Sequence, residues 1–154
     1  MNTMDDSLFL EEISYVLEDD GDRRQKAAAI AGAIRRAGPY RWVGLYEVSE
    51  AEISNLGFDG PGPPAHPRFP VTRGLSGSAV ASGESVVAND VRKDPRYLTA
   101  FGSTRSEIIV PVLDRTGQKV LGTIDVESER VGAFSEEDRA ALERCATAVA
   151  GLFG

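Results

Sequence analysis

The sequence predicts an α+β fold with a largely antiparallel sheet, and three observations support this prediction. Residues 106–128 form two runs rich in β-branched residues, joined by a tight turn at Asp114-Arg115-Thr116-Gly117. Apolar residues recur at helical spacing near both ends of the chain. The predicted elements follow the order helix, helix, strand, strand, loop, short helix, strand, loop, strand, strand, helix, which is typical of an α+β domain.

Two helices are predicted at the start of the chain. The first covers residues 7–19, with Asp5 or Asp6 available as its N-cap and an apolar stripe of Phe9, Ile13, Val16 and Leu17. The second runs from Arg23 to about Ala37 and stops at Gly38-Pro39. Its stripe consists of Ala27, Ile30, Ala31 and Ile34.

The middle of the chain is predicted to contain short strands and long connections. Residues 41–48 alternate as a strand with Trp42, Gly44 and Tyr46 on one face, and residues 51–58 form its hairpin partner. The proline-rich segment 60–67 is predicted as a loop, since proline lacks the donor that a central strand needs. After a short extended segment at 68–71, a small helix from residue 74 ends at Gly83, and a strand covers 85–89. Residues 90–105 show no clear period and read as a loop of the kind that often closes over a site.

The predicted hairpin at 106–128 collects acidic side chains on one face. Alternation places Asp125 and Glu127 on the same side of its second arm, and Glu107 in the first arm can join them. Gly44 is expected to leave room for a ligand between Trp42 and Tyr46. Carboxylates crowded beside these aromatic rings would form a box suited to an ammonium group, and they would raise one another's pKa.

The chain is predicted to end in a helix whose N-cap is Ser135, with acids in the first turn. Its buried stripe comprises Leu142, Cys145, Ala146, Val149 and Leu152. Cys145 is the only cysteine, so an internal disulfide and a multi-thiolate metal site are excluded. We expect it to be a packing residue far from the candidate site.

Composition limits the classes of function. A chain of 154 residues fits a single domain, and a net charge of −7 argues against nucleic-acid and anionic-membrane partners. The acidic start of the chain does not resemble a secretory signal, and no apolar run could span a bilayer, so we expect a cytoplasmic protein. No metal and no cofactor are predicted.

Five segments together resemble a GAF domain over roughly everything after Gly21: RWVGLYEV, TRGLSGSAVASGESVVANDV, SEIIVPV, LGTIDVES and AFSEEDRAALE. The resemblance implies a central antiparallel sheet with the terminal helices on one face and a ligand pocket on the other. It also implies a single domain over 1–154, with residues 1–21 as an N-terminal helical extension. Many GAF domains dimerise through their terminal helices, and a homodimer is therefore expected.

Within that superfamily the motifs are most similar to the free methionine-(R)-sulfoxide reductases. The resemblance implies that Trp42 and Tyr46 line the pocket, while Glu107, Asp125 and Glu127 hold the substrate's ammonium and polarise its sulfoxide. Glu127 stands where that family more often has aspartate. The reductases carry cysteines at three pocket positions, where this sequence has His66, Ser76 and Ala100. Sulfoxide reduction in that family requires a thiolate and a second, resolving thiol, and neither is present here.

Several residues allow a plainer interpretation. Asp125 and Glu127 could lie at an exposed strand end, and Trp42 and Tyr46 could be ordinary core aromatics. His66 is favoured as a loop residue without a special role, the alternative being a hydrogen bond to a ligand carboxylate. Ser76 is favoured as a helix N-cap, because GLSGS lacks the G-x-S-x-G spacing of a nucleophile, although it could donate to a ligand.

Three functions remain open from the sequence. The favoured one is a GAF domain that binds a small ligand, a free amino acid or similar ammonium compound, without redox catalysis. The second is a divergent free methionine-(R)-sulfoxide reductase. The third is a dimerising signalling scaffold with a vestigial pocket.

Overall fold

The computed structural model describes residues 6–99 and 101–153, and these form one six-stranded sheet with helices. Its helices are α1 (Asp6–Glu18), α2 (Arg23–Ala37), α3 (Gly74–Ser82) and α4 (Glu136–Val149). Short 3₁₀ turns cover Val91–Lys93 and Ala150–Leu152. Its strands are β1 (Trp42–Val48), β2 (Glu52–Asp59), β3 (Arg68–Pro70), β4 (Val86–Ala88), β5 (Ser106–Leu113) and β6 (Val120–Ser128).

The strands follow the order β3-β2-β1-β6-β5-β4, and each neighbouring pair is antiparallel. The predicted α+β class and antiparallel sheet are therefore confirmed. β1 and β6 lie side by side at the centre, although they are distant in the sequence. This pairing brings the aromatic strand and the acidic strand into direct register.

One face of the sheet is covered by the helices from both ends of the chain. α2 packs on β1 and β2, α4 packs on β5, and α1 lies against α2 and α4. The apolar stripes predicted for these helices meet alternate residues of the strands, such as Leu45, Val110 and Ile124, in one fully buried core. α1 contributes Phe9 and Ile13 to this core.

The helix starts follow the local sequence. Asp22 caps α2 and Ser135 caps α4, each through a capping box with the residue three positions later. Asp138, the partner of Ser135, also accepts a hydrogen bond from Tyr40 Oη at 3.0 Å. The predicted N-cap Asp6 is the first described residue, and the alternative Asp5 lies outside the described residues.

The hairpin at the centre of the sequence prediction forms as expected. Between β5 and β6, the Oδ1 atom of Asp114 accepts hydrogen bonds from Thr116 N at 3.1 Å and Gln118 N at 3.2 Å. Gly117 adopts a positive φ of 74°, which favours glycine at this position.

No helix in the described part of the chain is long and apolar enough to cross a bilayer.

Candidate functional site

Three acidic side chains meet on the sheet face opposite the helices. In the β1–β6 pairing Trp42 lies beside Glu127, and in the β5–β6 pairing Glu127 lies beside Glu107. Asp125, two residues before Glu127 on the same strand, points to the same face. The sequence prediction that Glu107, Asp125 and Glu127 share one face is therefore confirmed.

The three carboxyl groups form a buried cluster. One oxygen atom from each lies within 4.8 Å of the others, and the side chains are only 6%, 8% and 1% exposed for Glu107, Asp125 and Glu127. None of the three takes part in an ion pair among the described residues. Keeping all three groups ionised costs free energy, because burial removes their solvation and no ion pair replaces it among the described residues.

Burial raises the pKa of all three groups, and repulsion between the acids adds to the shift at Glu107 and Glu127. Burial raises the pKa of Asp125 to about 6, although its hydrogen bond with Glu107 acts in the opposite direction. Burial, and then the charge of Asp125, raise the pKa of Glu127 to about 8. Burial, Asp125 and Glu127 raise the pKa of Glu107 well above its usual range. Burial beside two other acids therefore favours the protonated form of Glu107.

Two neighbours moderate the cluster. Thr104 Oγ1 donates a hydrogen bond to Glu127 Oε1 at 2.8 Å, and this bond lowers the pKa of Glu127 against the larger effect of burial. Arg41 lies at the edge of the site, where it pairs with Glu129 at 2.6 Å and its guanidinium carbon is 6.0 Å from the centre of the Phe101 ring. Asp125 Oδ1 has no hydrogen-bond partner in the described part of the chain.

Aromatic rings form the wall beside the acids. Trp42 stacks on Phe58 with ring centres 6.1 Å apart, and it contacts Phe101 at 5.7 Å and Tyr46 at 6.4 Å. Its indole Nε1 donates a hydrogen bond to Gly62 O at 3.0 Å, which orients the ring. Burial, followed by the charges of Asp125 and Glu127, raises the pKa of Tyr46. The rings and the acids therefore share one surface.

The expectation that Gly44 leaves room for a ligand is wrong. A Cβ at this position would collide with the Trp42 ring and would lie 2.9 Å from Tyr46 Cε1. The two rings lean over the glycine backbone and fill the space that a side chain would occupy. Gly44 is thus needed for the packing of the aromatic wall.

Ser76 is not the N-cap of α3, although the sequence favoured that role. The N-cap of α3 is Arg73, which makes no side-chain capping bond, and Ser76 is the third residue of the helix. Its side chain is 6% exposed and lines the same cavity as the acids. The glycine at residue 74 begins the helix one turn earlier than the cap prediction required.

Two loops close over the site. The first contributes Pro64 and His66, and the second contributes Leu98 and Phe101. His66 is exposed at the rim, where its Nε2 lies 3.1 Å from Thr99 O and links the two loops. Ala100, the third position at which the reductases carry cysteine, lies outside the described residues.

The cavity enclosed by these elements is small, about 40 Å³. On this measure one water molecule needs about 10–15 Å³, so the cavity has room for a few water-sized groups. The cavity is lined by Trp42, Tyr46, Pro64, Ala65, His66, Phe69, Gly74, Leu75, Ser76, Leu98, Phe101, Glu107, Asp125 and Glu127.

The spacing of the three carboxyl groups also determines what the site can hold. Oxygen atoms within 4.8 Å of one another can surround an ammonium group or a metal ion. Carboxylates suit both, whereas the aromatic wall favours an organic cation. The sequence prediction that no metal binds stays a prediction.

Sequence reasoning identified seven residues that the structure brings to one cavity: His66 and Ser76 with Trp42, Tyr46 and the three acids. Their role in binding a ligand stays a prediction. The sequence did not identify Thr104, Phe101 and Leu98 as residues of the site, because they lie in a segment without periodicity. The only signal for these residues was the length of the 90–105 connection.

Comparison with known proteins places these features in context. A family model described as GAF domain matches residues 8–153. The free methionine-R-sulfoxide reductase of Saccharomyces cerevisiae is 34% identical over 107 residues, which cover 68% of this chain and 58% of that protein, less than two thirds of its length.

Two solved structures are also similar. The type II free methionine-R-sulfoxide reductase of Thermoplasma acidophilum matches with a TM-score of 0.80 and 33% identity, covering 85% of this chain and 92% of that chain. The free methionine-R-sulfoxide reductase of Neisseria meningitidis, solved in complex with its substrate, matches with a TM-score of 0.83 and 31% identity, covering 99% and 92%. These matches confirm the resemblance predicted from the sequence motifs.

Proposed function

Because the chain belongs to the GAF domain family, we propose that it is a binding domain without redox catalysis, whose pocket takes a compact ammonium compound such as a free amino acid. The observation that carries this proposal is the cluster of Glu107, Asp125 and Glu127, buried together without an ion pair among the described residues. A cluster of this kind lowers the stability of the fold, so its occurrence beside a cavity is best explained by a cationic ligand.

An ammonium group satisfies the chemistry of this cluster. It offers three N–H donors, and Asp125 Oδ1 is an acceptor without a partner in the described chain. Its positive charge offsets the loss of solvation that raises the pKa of all three acids and the repulsion that adds to the shift at Glu107 and Glu127. The faces of Trp42 and Tyr46 add a favourable interaction of about 0.5–2 kcal/mol with a desolvated cation.

The absence of redox catalysis is inferred from the positions of sulfur. Cys145 is the only cysteine, and it is fully buried in the core on the helix-covered face of the sheet. A thiol that reduces a sulfoxide has to reach the substrate as a thiolate, which an apolar core disfavours. His66 and Ser76 cannot replace it.

Ligand titration tests the proposal. We expect free amino acids or small amines to raise the melting temperature of the protein and to bind in calorimetry, because a ligand that binds only the folded state stabilises it. Asp125→Asn should abolish this effect. Glu52→Gln removes an exposed acid on β2 and serves as a control that keeps it. Equal shifts for Asp125→Asn and the wild type would refute the proposal.

A second candidate function is free methionine-(R)-sulfoxide reduction, which the similarity of this chain to reductases of that kind favours. It predicts thiol-dependent turnover of free methionine-(R)-sulfoxide that is lost in Asp125→Asn. Since Cys145 is buried away from the cavity, Cys145→Ser should leave such turnover intact. Absence of turnover with either thioredoxin or dithiothreitol would exclude this function.

A third candidate is a dimerising signalling scaffold, and one feature of α1 favours it. Tyr15 is 80% exposed on this helix, beside the half-buried Leu10. In this proposal the single domain over 1–154 pairs with a second copy through its terminal helices. Light scattering of the wild type and of Tyr15→Glu tests the contact, and a monomeric wild type would refute it.

A further inference from the structure

The three acids of the cavity differ in their hydrogen-bond partners. Glu107 and Asp125 are joined by a hydrogen bond between their carboxyl groups. Glu127 is held from outside the sheet, because Thr104 Oγ1 donates a hydrogen bond to its Oε1 atom at 2.8 Å. Both partners of this bond are buried, with exposed fractions of 2% for Thr104 and 1% for Glu127. The cluster therefore consists of a carboxyl pair and a third acid whose donor comes from another segment of the chain.

The backbone on both sides of Thr104 is anchored. Thr104 N donates a hydrogen bond to Phe101 O at 3.2 Å, which closes a turn before it. The Phe101 ring at the start of this turn packs on Trp42, with ring centres 5.7 Å apart. The next residue is tied to the end of β6, since Arg105 N donates to Ser128 O at 2.8 Å. These contacts fix the direction in which the Thr104 hydroxyl group points to the acid cluster.

A hydroxyl donor favours the ionised form of the acid that it contacts. Its hydrogen bond to a carboxylate is charge-assisted and therefore stronger than its bond to a neutral carboxyl group. Burial and then the charge of Asp125 raise the pKa of Glu127 to about 8, and the bond from Thr104 lowers it. Asp125, whose pKa burial raises only to about 6, ionises before Glu127 does. The Thr104 hydroxyl group thus acts on the second negative charge of the cavity.

Glu127 faces titratable and charged groups from the strands around it. Asp125 lies on the same strand, and Glu107 lies opposite on β5. Arg41, just before β1, forms its ion pair outside the cluster, although its charge favours the Glu127 carboxylate. Burial and then the charges of Asp125 and Glu127 raise the pKa of Tyr46 on β1, which therefore stays neutral. Because the hydroxyl donor carries no charge, it stabilises the carboxylate and leaves its negative charge available to a ligand.

We propose that Thr104 is a positioning residue of the pocket, whose hydroxyl group stabilises ionised Glu127 and so sets the pH at which the cavity gains its second negative charge. The inference rests on the proposed function for its effect on affinity, because a cationic ligand then meets two carboxylates, Asp125 and Glu127. A lysine or arginine in place of Thr104 would also stabilise the Glu127 carboxylate, but its charge would compete with that of the ligand.

Nuclear magnetic resonance of the ligand-free protein tests the role of Thr104 directly. The isotopically labelled carboxyl carbon of Glu127 reports the protonation of this group as the pH changes. We expect its titration midpoint to lie about 1 pH unit higher in Thr104→Val, which keeps the shape of the side chain but lacks the donor. Thr104→Ser keeps the hydroxyl group and should keep the wild-type midpoint. An unchanged midpoint in Thr104→Val, or an equal rise in Thr104→Ser, would overturn the proposal.

Ser103 provides a matched control within the same turn. Its Oγ atom is buried and has no hydrogen-bond partner in the described part of the chain. Ser103→Ala therefore removes a neighbouring hydroxyl group without removing a donor to Glu127, and the midpoint should stay at the wild-type value. A rise equal to that in Thr104→Val would show that a loosened turn is the cause, which would overturn the role of the Thr104 donor. Circular dichroism of each variant confirms that it is folded.

Calorimetry with methylammonium as the probe tests the consequence for binding. Like the lysine ammonium group, whose pKa is about 10.4, this probe stays mostly charged up to about pH 9. We expect Thr104→Val to weaken its binding about tenfold at pH 7 and about twofold or less at pH 9, where Glu127 is largely ionised in both proteins. Equal weakening at both pH values would overturn the proposal. Absence of binding to the wild type would overturn the proposed function, while the resonance titration would still decide the role of Thr104.

Discussion

The two faces of the sheet treat buried polar groups in opposite ways. On the helix-covered face Asp138 is buried, yet it accepts hydrogen bonds from Tyr40 Oη at 3.0 Å and Ser135 Oγ at 2.8 Å. On the cavity face Asp125 is equally buried, and one of its oxygens has no partner among the described residues. One face is thus optimised for stability. The cavity face retains polar groups without hydrogen-bond partners, which lower stability, as expected of a ligand-binding site.

The alternation of a single strand produces this division. Ile124 and Asp125 are neighbours on β6, and the first enters the apolar core while the second enters the acid cluster. Changes at adjacent positions should therefore affect different properties. Variants of the two faces should therefore differ in their free energy of unfolding.

Truncation on the helix-covered face should give the largest loss of stability. Ile124 is fully buried, and Ile124→Ala should lower the free energy of unfolding by about 2–5 kcal/mol through lost contacts and a new cavity. Ile124→Val serves as the milder control, with a loss of about 0.5–1.5 kcal/mol. Urea unfolding measures both, and a loss below that of the valine variant would contradict the description of this core.

Removal of Asp138, the buried acid whose carboxylate is hydrogen-bonded, should cause the next largest loss of stability. Asp138→Ala leaves Tyr40 Oη without its partner and disrupts the capping box of α4, so we expect a loss of about 1–3 kcal/mol. Asp125→Asn, its counterpart on the cavity face, should leave the stability at pH 7 unchanged or higher. The same denaturant series compares them, and equal losses would remove the distinction between the two faces.

The buried acids of the cavity face should make the stability of the protein depend on pH. Unfolded carboxyl groups release their protons near pH 4, whereas the folded chain releases them near pH 6 at Asp125 and near pH 8 at Glu127. Between the unfolded and the folded pKa values, the folded state binds more protons than the unfolded state. The contribution of the cluster to stability therefore falls as pH rises from about 4 to about 8.

Glu127→Gln isolates this contribution. At pH 8 the variant should be more stable than the wild type by about 1 kcal/mol or more, since one pKa unit corresponds to about 1.4 kcal/mol. At about pH 3, which lies below both the unfolded and the folded pKa of this carboxyl group, the difference should be largely lost. Unfolding curves across this range provide the measurement, and a gain that grows toward acid pH would show that the sign is wrong.

The smallest effect is expected at the rim of the cavity. His66 is exposed, and His66→Ala removes only its contact with Thr99 O, so the free energy of unfolding should change by less than about 0.5 kcal/mol. Amide exchange of the 96–101 segment should become faster, because the two loops lose a link. Arg68→Ala, an exposed change in the neighbouring strand β3, is the control that should leave exchange in this segment unaltered.

The division between the two faces of the sheet also explains which features of the fold and the site the sequence could predict. Strand alternation was sufficient to place Asp125 with Glu127 and to separate both from Ile124, and helical periodicity placed Cys145 in the core. These are local patterns, and the tertiary structure preserves them. The GAF fold followed from motifs that span most of the chain.

Contacts between distant segments could not be predicted in this way. Thr104 donates to Glu127 only because the 90–105 segment returns to the end of β6. Gly44 was expected to leave space, but the directions of the Trp42 and Tyr46 rings depend on packing against Phe58 and other residues from elsewhere in the chain. Ser76 was misplaced because a cap is defined by backbone angles, and the extended residue proved to be Arg73.

The central pairing of β1 with β6 has a consequence for how the protein is made. Trp42 lies beside Glu127 and Tyr46 beside Thr123, so the aromatic wall meets the acids only through contacts of long sequence separation. Such contacts form slowly, because a long loop has to close before they contribute. During synthesis β1 therefore emerges from the ribosome well before its partner and presents an unpaired edge that can associate with other chains. Recognition of the ligand can begin only after the last strand has joined the sheet.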